Sequence, residues 1–228
     1  MGLRNKKECD LQSCMLCNQS LPGWIPAILA NRKCIRYKKG EIIFQEGDKV
    51  AGMFFINTGL VKVHKKWGEE KELILRIAGN ADIVGHRGLG GDMTYPVSAT
   101  ALKPTDTCYV DLPFFNETLK ANPEFLHQLM MFFASELKES EKRMRNLAHM
   151  PVKGRIANAV LFLSQKFGMT ASTLHIALSR QDFASYIGAT YETVSRMLNE
   201  MCDEKALRVE GKQLSIISEK KLKEYIRY

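Results

Sequence analysis

Short apolar runs separated by turn residues fill residues 21–113. The runs at residues 42–44, 53–56, 60–63 and 73–75 are each flanked by turn signals that contain glycine. Glycine supplies the positive φ that tight corners need. Many short strands spaced by glycine turns are typical of a barrel or a jelly roll. We therefore predict a β-roll over this region.

The apolar period changes after Pro123. Apolar positions then recur at alternating steps of four and three, which is a 3.5-residue repeat with charged flanks. The seam consists of Leu126, Met130, Phe133, Leu137, Ser140, Met144 and Leu147. We predict one helix over residues 114–148 whose seam packs against the same helix of a second copy of the chain. A helix packed on its own domain is the alternative, because a 3.6-residue period serves that packing as well.

Cap residues near the C-terminal end predict two short helices joined through a glycine. Ser179 and Thr190 are good N-caps, and Gly188 suits a helix end at positive φ. This order is typical of a helix-turn-helix. A hairpin with a glycine turn is predicted directly after it, at residues 207–216, and would form a wing. Residues 149–228 are therefore predicted to be a winged-helix domain.

The second of these helices carries a polar face suited to base edges. Arginine can donate two hydrogen bonds to guanine and glutamate can accept one from cytosine, so Arg196 and Glu192 fit this use. A solvated face with an incidental Glu–Arg pair is the alternative. The candidate DNA-binding residues are Arg180, Gln181, Tyr191, Glu192, Thr193, Ser195, Arg196 and Lys212.

Composition and charge narrow the class of protein. The 228 residues include 33 Lys and Arg against 25 Asp and Glu, a net charge of +8 that favours an anionic partner such as nucleic acid. Hydrophobic residues make up 45%, which excludes collagen-like and disordered chains. No apolar run approaches the ~18 residues that span a bilayer. The N-terminus lacks the apolar stretch of a signal peptide, so we expect a cytoplasmic protein without a membrane partner.

Three blocks of the sequence, the last of them the helix-turn-helix described above, resemble the CRP/FNR family of bacterial transcription regulators. The resemblance extends over nearly the whole chain. Residues 39–48 and 55–63 look like the family's cyclic-nucleotide-type β-roll, and residues 152–157 look like the opening of its DNA-binding domain. The resemblance implies an α+β protein with an N-terminal β-roll, a long dimerisation helix and a C-terminal winged helix-turn-helix. It also implies an effector-controlled homodimer whose partners are double-stranded DNA and RNA polymerase.

The family's two main branches differ in the recognition helix. The pattern Glu192-x-x-Ser195-Arg196 is similar to that of the FNR branch, which implies an inverted repeat with TTGA-like half-sites. Tyr191 departs from both branches, at the position that meets the outermost base.

The resemblance argues against cAMP as the effector. The receptor's phosphate-binding Arg-Ser pair corresponds to about Pro96 and Val97, and its Thr-Ser pair on the long helix corresponds to Ser140 and Glu141. Glu141 would repel a phosphate. Arg87 has two interpretations, an anion ligand or a solvent-facing loop residue. The candidate effector pocket is Gly85, His86, Arg87, Gly88, Leu89, Val97, Ser98, Ser140 and Glu141.

Six cysteines raise the question of a cofactor. Residues 1–20 are predicted to be a leader, which holds Cys9, Cys14 and Cys17. FNR-type oxygen sensors are similar: N-terminal cysteines and one from the last β-roll strand hold a 4Fe–4S cluster, and Cys108 would be the fourth ligand. The spacing departs from the family, because the long gap comes first and the family's distant cysteine aligns with Val110.

Other interpretations of the cysteines stay open. Zinc bound with Cys34 or a histidine is one, and a thiol redox switch is another. Plain packing suits Cys34 and Cys202. Haem bound through His64 or His86 is a further alternative.

The sequence does not predict an enzyme. It contains no P-loop, no nucleophile paired with a base, and no G-x-G-x-x-G after a strand. The alternative to a DNA-binding regulator is a nucleotide-like small-molecule sensor that acts through protein partners without DNA.

Overall fold

The computed structural model describes residues 11, 14–68 and 71–227, and these form two compact units. The first unit comprises the described residues up to Trp67 together with Leu75–Leu137. The second comprises Gly68–Ile74 and the residues from Lys138 onward.

The first unit opens with helices rather than strands. Helix α1 spans Met15–Asn18, a 3-10 turn spans Pro22–Trp24, and α2 spans Ile25–Asn31. The predicted β-roll boundary at residue 21 is therefore wrong, because the first strand begins only at Lys33. The leader boundary at residue 20 also needs correction, since Leu16 is fully buried and belongs to the hydrophobic core.

Eight strands then form two antiparallel four-stranded sheets, with orders β1-β8-β3-β6 and β2-β7-β4-β5. Phe44 and Phe54, one from each sheet, stack with ring centroids 5.7 Å apart, so the sheets enclose a common aromatic core. The predicted β-roll is confirmed. The strands are β1 (Lys33–Tyr37), β2 (Ile42–Phe44), β3 (Gly52–Thr58), β4 (Val61–Trp67), β5 (Lys71–Ala78), β6 (Ile83–Val84), β7 (Ser98–Ala101) and β8 (Thr105–Asp111).

The segment predicted as one helix over residues 114–148 is two helices, α3 (Leu112–Ala121) and α4 (Pro123–His149). Asn122 separates them with φ −128° and ψ 80°. Its side-chain oxygen accepts a hydrogen bond from the backbone N–H of Leu21 at 2.7 Å, and its amide nitrogen donates to the carbonyl of Thr118. The break is thus held by a partner distant in sequence, and Pro123 then occupies a position at a helix start that suits proline.

The second unit is a winged helix-turn-helix, as predicted. Its small sheet has the order β11-β12-β10-β9, and the predicted hairpin pairs Leu207 with Ile216 and Glu210 with Gln213. The elements are α5 (Val152–Phe167), β9 (Met169–Thr170), β10 (Thr173–Leu174), α6 (Arg180–Ile187), α7 (Tyr191–Asp203), β11 (Leu207–Glu210), β12 (Gln213–Ile216) and α8 (Glu219–Ile226).

Candidate nucleic-acid interface and effector site

The turn between α6 and α7 is built as the cap residues predict. The Ser179 hydroxyl accepts a hydrogen bond from the N–H of Asp182 at 3.0 Å, and the Thr190 hydroxyl accepts from the N–H of Thr193 at 3.2 Å. Gly188 has φ +71° and ψ 45°, the left-handed conformation that ends a helix. These contacts fix where α7 begins.

Two arginines hold the C-terminal end of α6. Arg155 donates to the carbonyls of Ile187 and Gly188 at 2.9 and 3.0 Å, and burial lowers its pKa. Arg143 donates to the carbonyl of Tyr186 at 2.8 Å and also lies over the Tyr186 ring, 4.5 Å from its centroid. Carbonyls at a helix end lack intrahelical partners, so these contacts fix the helix that precedes α7. Sequence reasoning missed both residues, although Arg155 lies within a block that carries the family resemblance.

Helix α7 buries one face and exposes the other. Val194 and Leu198 are buried, whereas Glu192 and Arg196 are exposed and Tyr191 is 45% exposed. The amphipathic helix thus presents an acceptor and a guanidinium one turn apart, near its N-terminus, where recognition helices meet bases.

Two other residues of α7 that are predicted to contact DNA are less exposed than Glu192 and Arg196. Ser195 is half-buried, and Thr193 is half-buried and accepts a hydrogen bond from the Thr190 hydroxyl at 3.0 Å. Thr193 is therefore already engaged in the helix cap.

The remaining predicted contacts lie on α6 and at the wing. Gln181 is exposed, while Arg180 is half-buried. Lys212 is exposed next to Gly211, whose φ of +58° forms the hairpin turn. Arg180 and Lys212 line the same small cavity, so the structure brings the start of α6 and the wing together.

The predicted effector loop closes over a very small cavity in the first unit. Gly85 begins a 3-10 turn with φ +96°, and a side chain at Gly88 would meet Val50 Cγ2 at 2.4 Å. The cavity volume is about 10 Å³, room for one water molecule. Its lining consists of Phe44, Val63, Arg76, Val84, Gly85, His86, Arg87, Gly88, Tyr95, Pro96 and Val97.

Four of the predicted pocket residues are not part of this lining. Leu89 packs against the hydrophobic core, and the Ser98 hydroxyl accepts from the N–H of Glu46 at 3.0 Å. Ser140 and Glu141 lie in the second unit, and their part in the pocket stays a prediction.

A charged cluster lies beside this cavity. Arg87 donates to Glu136 Oε2 at 2.9 Å, and Arg76 Nε lies 3.3 Å from Glu136 Oε1. Arg76 also pairs with Asp82 at 2.6 Å. Arg87 is therefore ion-paired while 27% of its side chain stays exposed, and its role as an anion ligand stays a prediction. Arg76 was missed by sequence reasoning, although a lone arginine in the apolar run of β5 was a signal.

His86 is buried within the same cluster. Its ring packs edge-on against Phe132 and Phe133, with centroids 5.0 and 5.3 Å away. Burial lowers the pKa of His86 to about 3, and the nearby charges of Arg76 and Arg87 lower it further. The ring is therefore neutral at physiological pH.

The seam of α4 divides into an exposed part and a contacting part. Leu126 is 48% exposed, Met130 57%, and Leu137 and Met144 are 60% exposed. Phe133 packs on the β-roll core, and Leu147 Cδ2 lies beside Gly188. These two residues serve their own chain, which corrects their assignment to a purely intermolecular seam.

The cysteines lie mostly inside the first unit. Cys14, Cys17 and Cys108 are buried in the same hydrophobic core, and Cys34 stands opposite Cys108 in the β1–β8 register. Cys9 lies outside the described residues. Residues 14–68 and 71–227 bring together no group of three metal-ligating side chains. They therefore do not by themselves supply a ligand set for a cluster or for zinc.

Among the residues that the structure describes, no helix has the length and apolar character needed to cross a membrane.

Of the two histidines considered as haem ligands, His64 bonds to the Thr100 hydroxyl at 2.9 Å.

The fold and the exposed face of α7 define a helix-turn-helix regulator with a sensor-type β-roll. Comparison with known proteins agrees. A family model described as "Cyclic nucleotide-binding domain" matches residues 34–122, and one described as "Crp-like helix-turn-helix domain" matches residues 154–225.

Relatives and a solved structure narrow the class further. The chain is 30% identical to the transcriptional activator protein Anr of Pseudomonas aeruginosa over 79% of this chain and 75% of that one. It is 26% identical to the CRP-like cAMP-activated global transcriptional regulator of Mycobacterium tuberculosis over 88% and 91%. The structure of FixK2 from Bradyrhizobium japonicum shares the fold, with TM-score 0.79, 22% identity and coverage of 86% and 98%. The chain belongs to the CRP/FNR family of transcription regulators, and these relatives are regulators rather than enzymes.

Proposed function

We propose that this protein is an effector-controlled homodimer that binds an inverted DNA repeat with TTGA-like half-sites. The observation that carries the proposal is the exposed face of α7, where Glu192 and Arg196 stand one turn apart on a helix fixed by its caps. Their types and spacing fit base edges in the major groove. RNA polymerase is the proposed protein partner, and the cytoplasm the proposed location.

The homodimer is supported by the exposed part of the α4 seam. Leu126, Met130, Leu137 and Met144 lie at heptad-like spacing on a helix that also exposes several charged side chains. Large apolar side chains exposed in such a row are typical of helix pairs. A twofold dimer presents two recognition helices, which matches an inverted repeat with half-sites one DNA turn apart.

The proposed effector site is the loop around Gly85–Leu89, and the proposed effector is not cAMP. The cavity beneath the loop holds about 10 Å³, far less than the ~300 Å³ of an ordinary ligand pocket. The two arginines beside it are already paired with Glu136.

DNA binding tests the proposal directly. Fluorescence anisotropy with a TTGA inverted repeat and with a scrambled duplex is measured on protein purified with and without oxygen. Arg196→Ala should weaken specific binding by about 1–3 kcal/mol, because it removes a bidentate base contact. Lys103→Ala removes one positive charge from an exposed β-roll loop and should leave specific binding near that of the wild type.

The outcome separates the two classes of function. Equal affinity for both duplexes, or no loss with Arg196→Ala, would contradict a sequence-specific regulator. It would favour the sensor module that acts through protein partners without DNA.

A more specific form of this proposal is that the regulator responds to redox conditions through a 4Fe–4S cluster. The cluster would be bound by Cys9, Cys14, Cys17 and Cys108. It rests on the resemblance of the N-terminal cysteines to those of FNR-type sensors, since the described residues do not gather Cys14, Cys17 and Cys108 into one ligand group. Protein purified without oxygen should contain about four iron and four acid-labile sulfide per chain. Cys108→Ser should remove them, whereas Cys202→Ser, in the second unit, should not. Iron-free protein would overturn this more specific form and leave zinc, redox or packing roles.

A further inference from the structure

Two arginines of the β-roll converge on one carboxylate of α4. Arg76 comes from β5 and Arg87 from the loop after β6, and the two guanidiniums contact different oxygens of Glu136 at 3.3 and 2.9 Å. The side chain of Arg76 is 8% exposed and that of Glu136 is 20% exposed. Glu136 is thus held as a bound anion would be, by a hydrogen bond from Arg87, whose side chain is 27% exposed, and by an ion pair with the buried Arg76.

The charges of this cluster balance only while Glu136 is present. Arg76 shares its charge with Asp82, which is fixed in its own turn because it also accepts from the N–H of Gly79 at 2.7 Å. Without Glu136 the cluster holds one positive charge in excess. The excess falls on Arg87, which is only partly exposed, and an unpaired charge in such a position favours the binding of another anion.

His86 adds an unsatisfied polar group to the same site. Its residue is 2% exposed, and neither ring nitrogen has a hydrogen bond of good geometry, although the backbone of Ile83 lies close enough to favour the protonated ring. Nε2 lies 3.9 Å from Glu136 Oε2, beyond hydrogen-bond distance. Buried polar groups are nearly always hydrogen-bonded, so a neutral imidazole left in this state is suited to a ligand that is still to bind.

The rest of the lining is apolar. Phe44, Val63 and Val97 form the walls of the cavity, and Tyr95 stacks on Phe44 with centroids 4.1 Å apart. A ligand whose charged end met the arginines would therefore place an apolar body against these walls.

We propose that the Glu136 carboxylate occupies the position, here called the anion seat, where the charged group of the effector binds. The effector is then an organic carboxylate with an apolar body, which displaces Glu136 from Arg76 and Arg87. This proposal rests on the proposed function, because it names the chemical class of that effector. Exchange of one carboxylate for another keeps both guanidiniums paired and opens the space that the Glu136 side chain now fills. It also breaks the ion pairs that join α4 to the β-roll, which gives the effector a route to the dimer helix.

Chemical rescue tests the seat itself. Glu136→Ala leaves Arg87 without its carboxylate and Arg76 with Asp82 alone, and it makes room for a small carboxylate. Sodium acetate, compared with sodium chloride at equal ionic strength, should raise the melting temperature of this variant by about 3 °C or more. Glu139→Ala, an exposed change on the same helix, should show no acetate effect beyond that of the wild type.

A larger probe tests the displacement. Phenylacetate should bind Glu136→Gln at least about tenfold more tightly than the wild type, because the competing internal carboxylate is gone. The glutamine variant keeps the side-chain volume, and it covers the case in which the alanine variant does not fold. Benzyl alcohol, which lacks the carboxylate, should not bind, and Arg87→Ala combined with Glu136→Gln should lose the gain.

The outcomes are distinguishable from failure of the proposed function. No acetate effect on Glu136→Ala together with equal phenylacetate affinity in the wild type and Glu136→Gln would overturn the anion seat, even if specific DNA binding is intact. Loss of DNA specificity with the carboxylate effects present would contradict the regulator instead.

Discussion

The protein places arginines and glutamates in two contrasting settings. On α7, Glu192 and Arg196 are exposed and available to a partner, on a face that the caps of one short segment define. Beside the proposed effector loop, Arg76 is buried, Arg87 and Glu136 are 27% and 20% exposed, and both arginines pair with Glu136. The charges of the first group have no internal ion pair to give up on binding another molecule, as we propose they do, whereas the second group would have to exchange an internal contact.

This difference leads to opposite expectations for mutagenesis. Exposed charges contribute little to folding, so changes on α7 should affect DNA affinity and leave stability within about 0.5 kcal/mol. Buried paired charges cannot be removed singly without leaving a partner unpaired, so changes in the cluster should affect stability first.

The largest effect is expected for Arg76→Met. It leaves Asp82 and Glu136 without their shared guanidinium, and we expect the free energy of unfolding to fall by about 3–5 kcal/mol. Urea denaturation measures it. Arg36→Met is the matched control, because Arg36 makes a bidentate pair with Asp106 on an exposed strand. A similar loss in both variants would remove the distinction between buried and exposed pairs.

Two changes among the proposed DNA contacts, one on α7 and one at the wing, should have different effects. Glu192→Ala removes a base acceptor and should reduce discrimination at one base pair by about 1–3 kcal/mol, whereas Lys212→Ala should weaken binding to all sequences and lower the salt slope by about one. Competition anisotropy over a range of salt separates the two. Equal losses on cognate and scrambled DNA for Glu192→Ala would place this residue outside the base-reading contacts.

Acid should destabilise the buried cluster through His86. Its folded pKa of about 3 lies below the unfolded value near 6.5, so the unfolded chain takes up a proton first as the pH falls. Stability should therefore be complete above pH 6.5 and decline towards pH 3, by at most about 1.4 kcal/mol per pH unit. In His86→Gln this part of the decline should be absent, whereas the exposed His127→Gln should behave as the wild type. Parallel pH profiles for wild type and His86→Gln would contradict the assignment.

The smallest effect is expected for Thr190→Ala at the start of α7. It removes the hydroxyl that accepts from the N–H of Thr193, and should lower the free energy of unfolding by about 1 kcal/mol. Thermal denaturation measures it. Ser218→Ala, at a longer 3.4 Å cap contact on α8, should cost less. A larger loss at Ser218 would reverse the ranking of the two caps.

The helix-turn-helix could be predicted from the sequence, whereas the charged cluster could not. The helix-turn-helix depends on contacts within a few residues, such as the cap at Ser179 and the positive φ of Gly188, and these are visible in the chain itself. The effector cluster depends on Arg87 and Glu136, which are 49 positions apart, so its pairing could not be anticipated.

The errors in the predicted helix have the same origin. The break at Asn122 is held by Leu21, 101 positions away, although Pro123 and the change of period after it mark the same position in the sequence. Heptad spacing grouped Phe133 and Leu147 with the exposed seam, because a period reports which face is apolar and not what covers that face.

Arg143 also bears on how this protein can be recombined with its relatives. It donates to the carbonyl of Ile74 on β5 at 3.0 Å as well as to that of Tyr186, so one side chain ties a strand from early in the chain to the helix before α7. A chimaera that takes only the residues after Pro151 from this protein would lack both Arg143 and the strand that Arg143 contacts. A working graft must carry the strand segment ending at Ile74 and the helix from Lys138 along with it, so the exchangeable module is discontinuous in the gene.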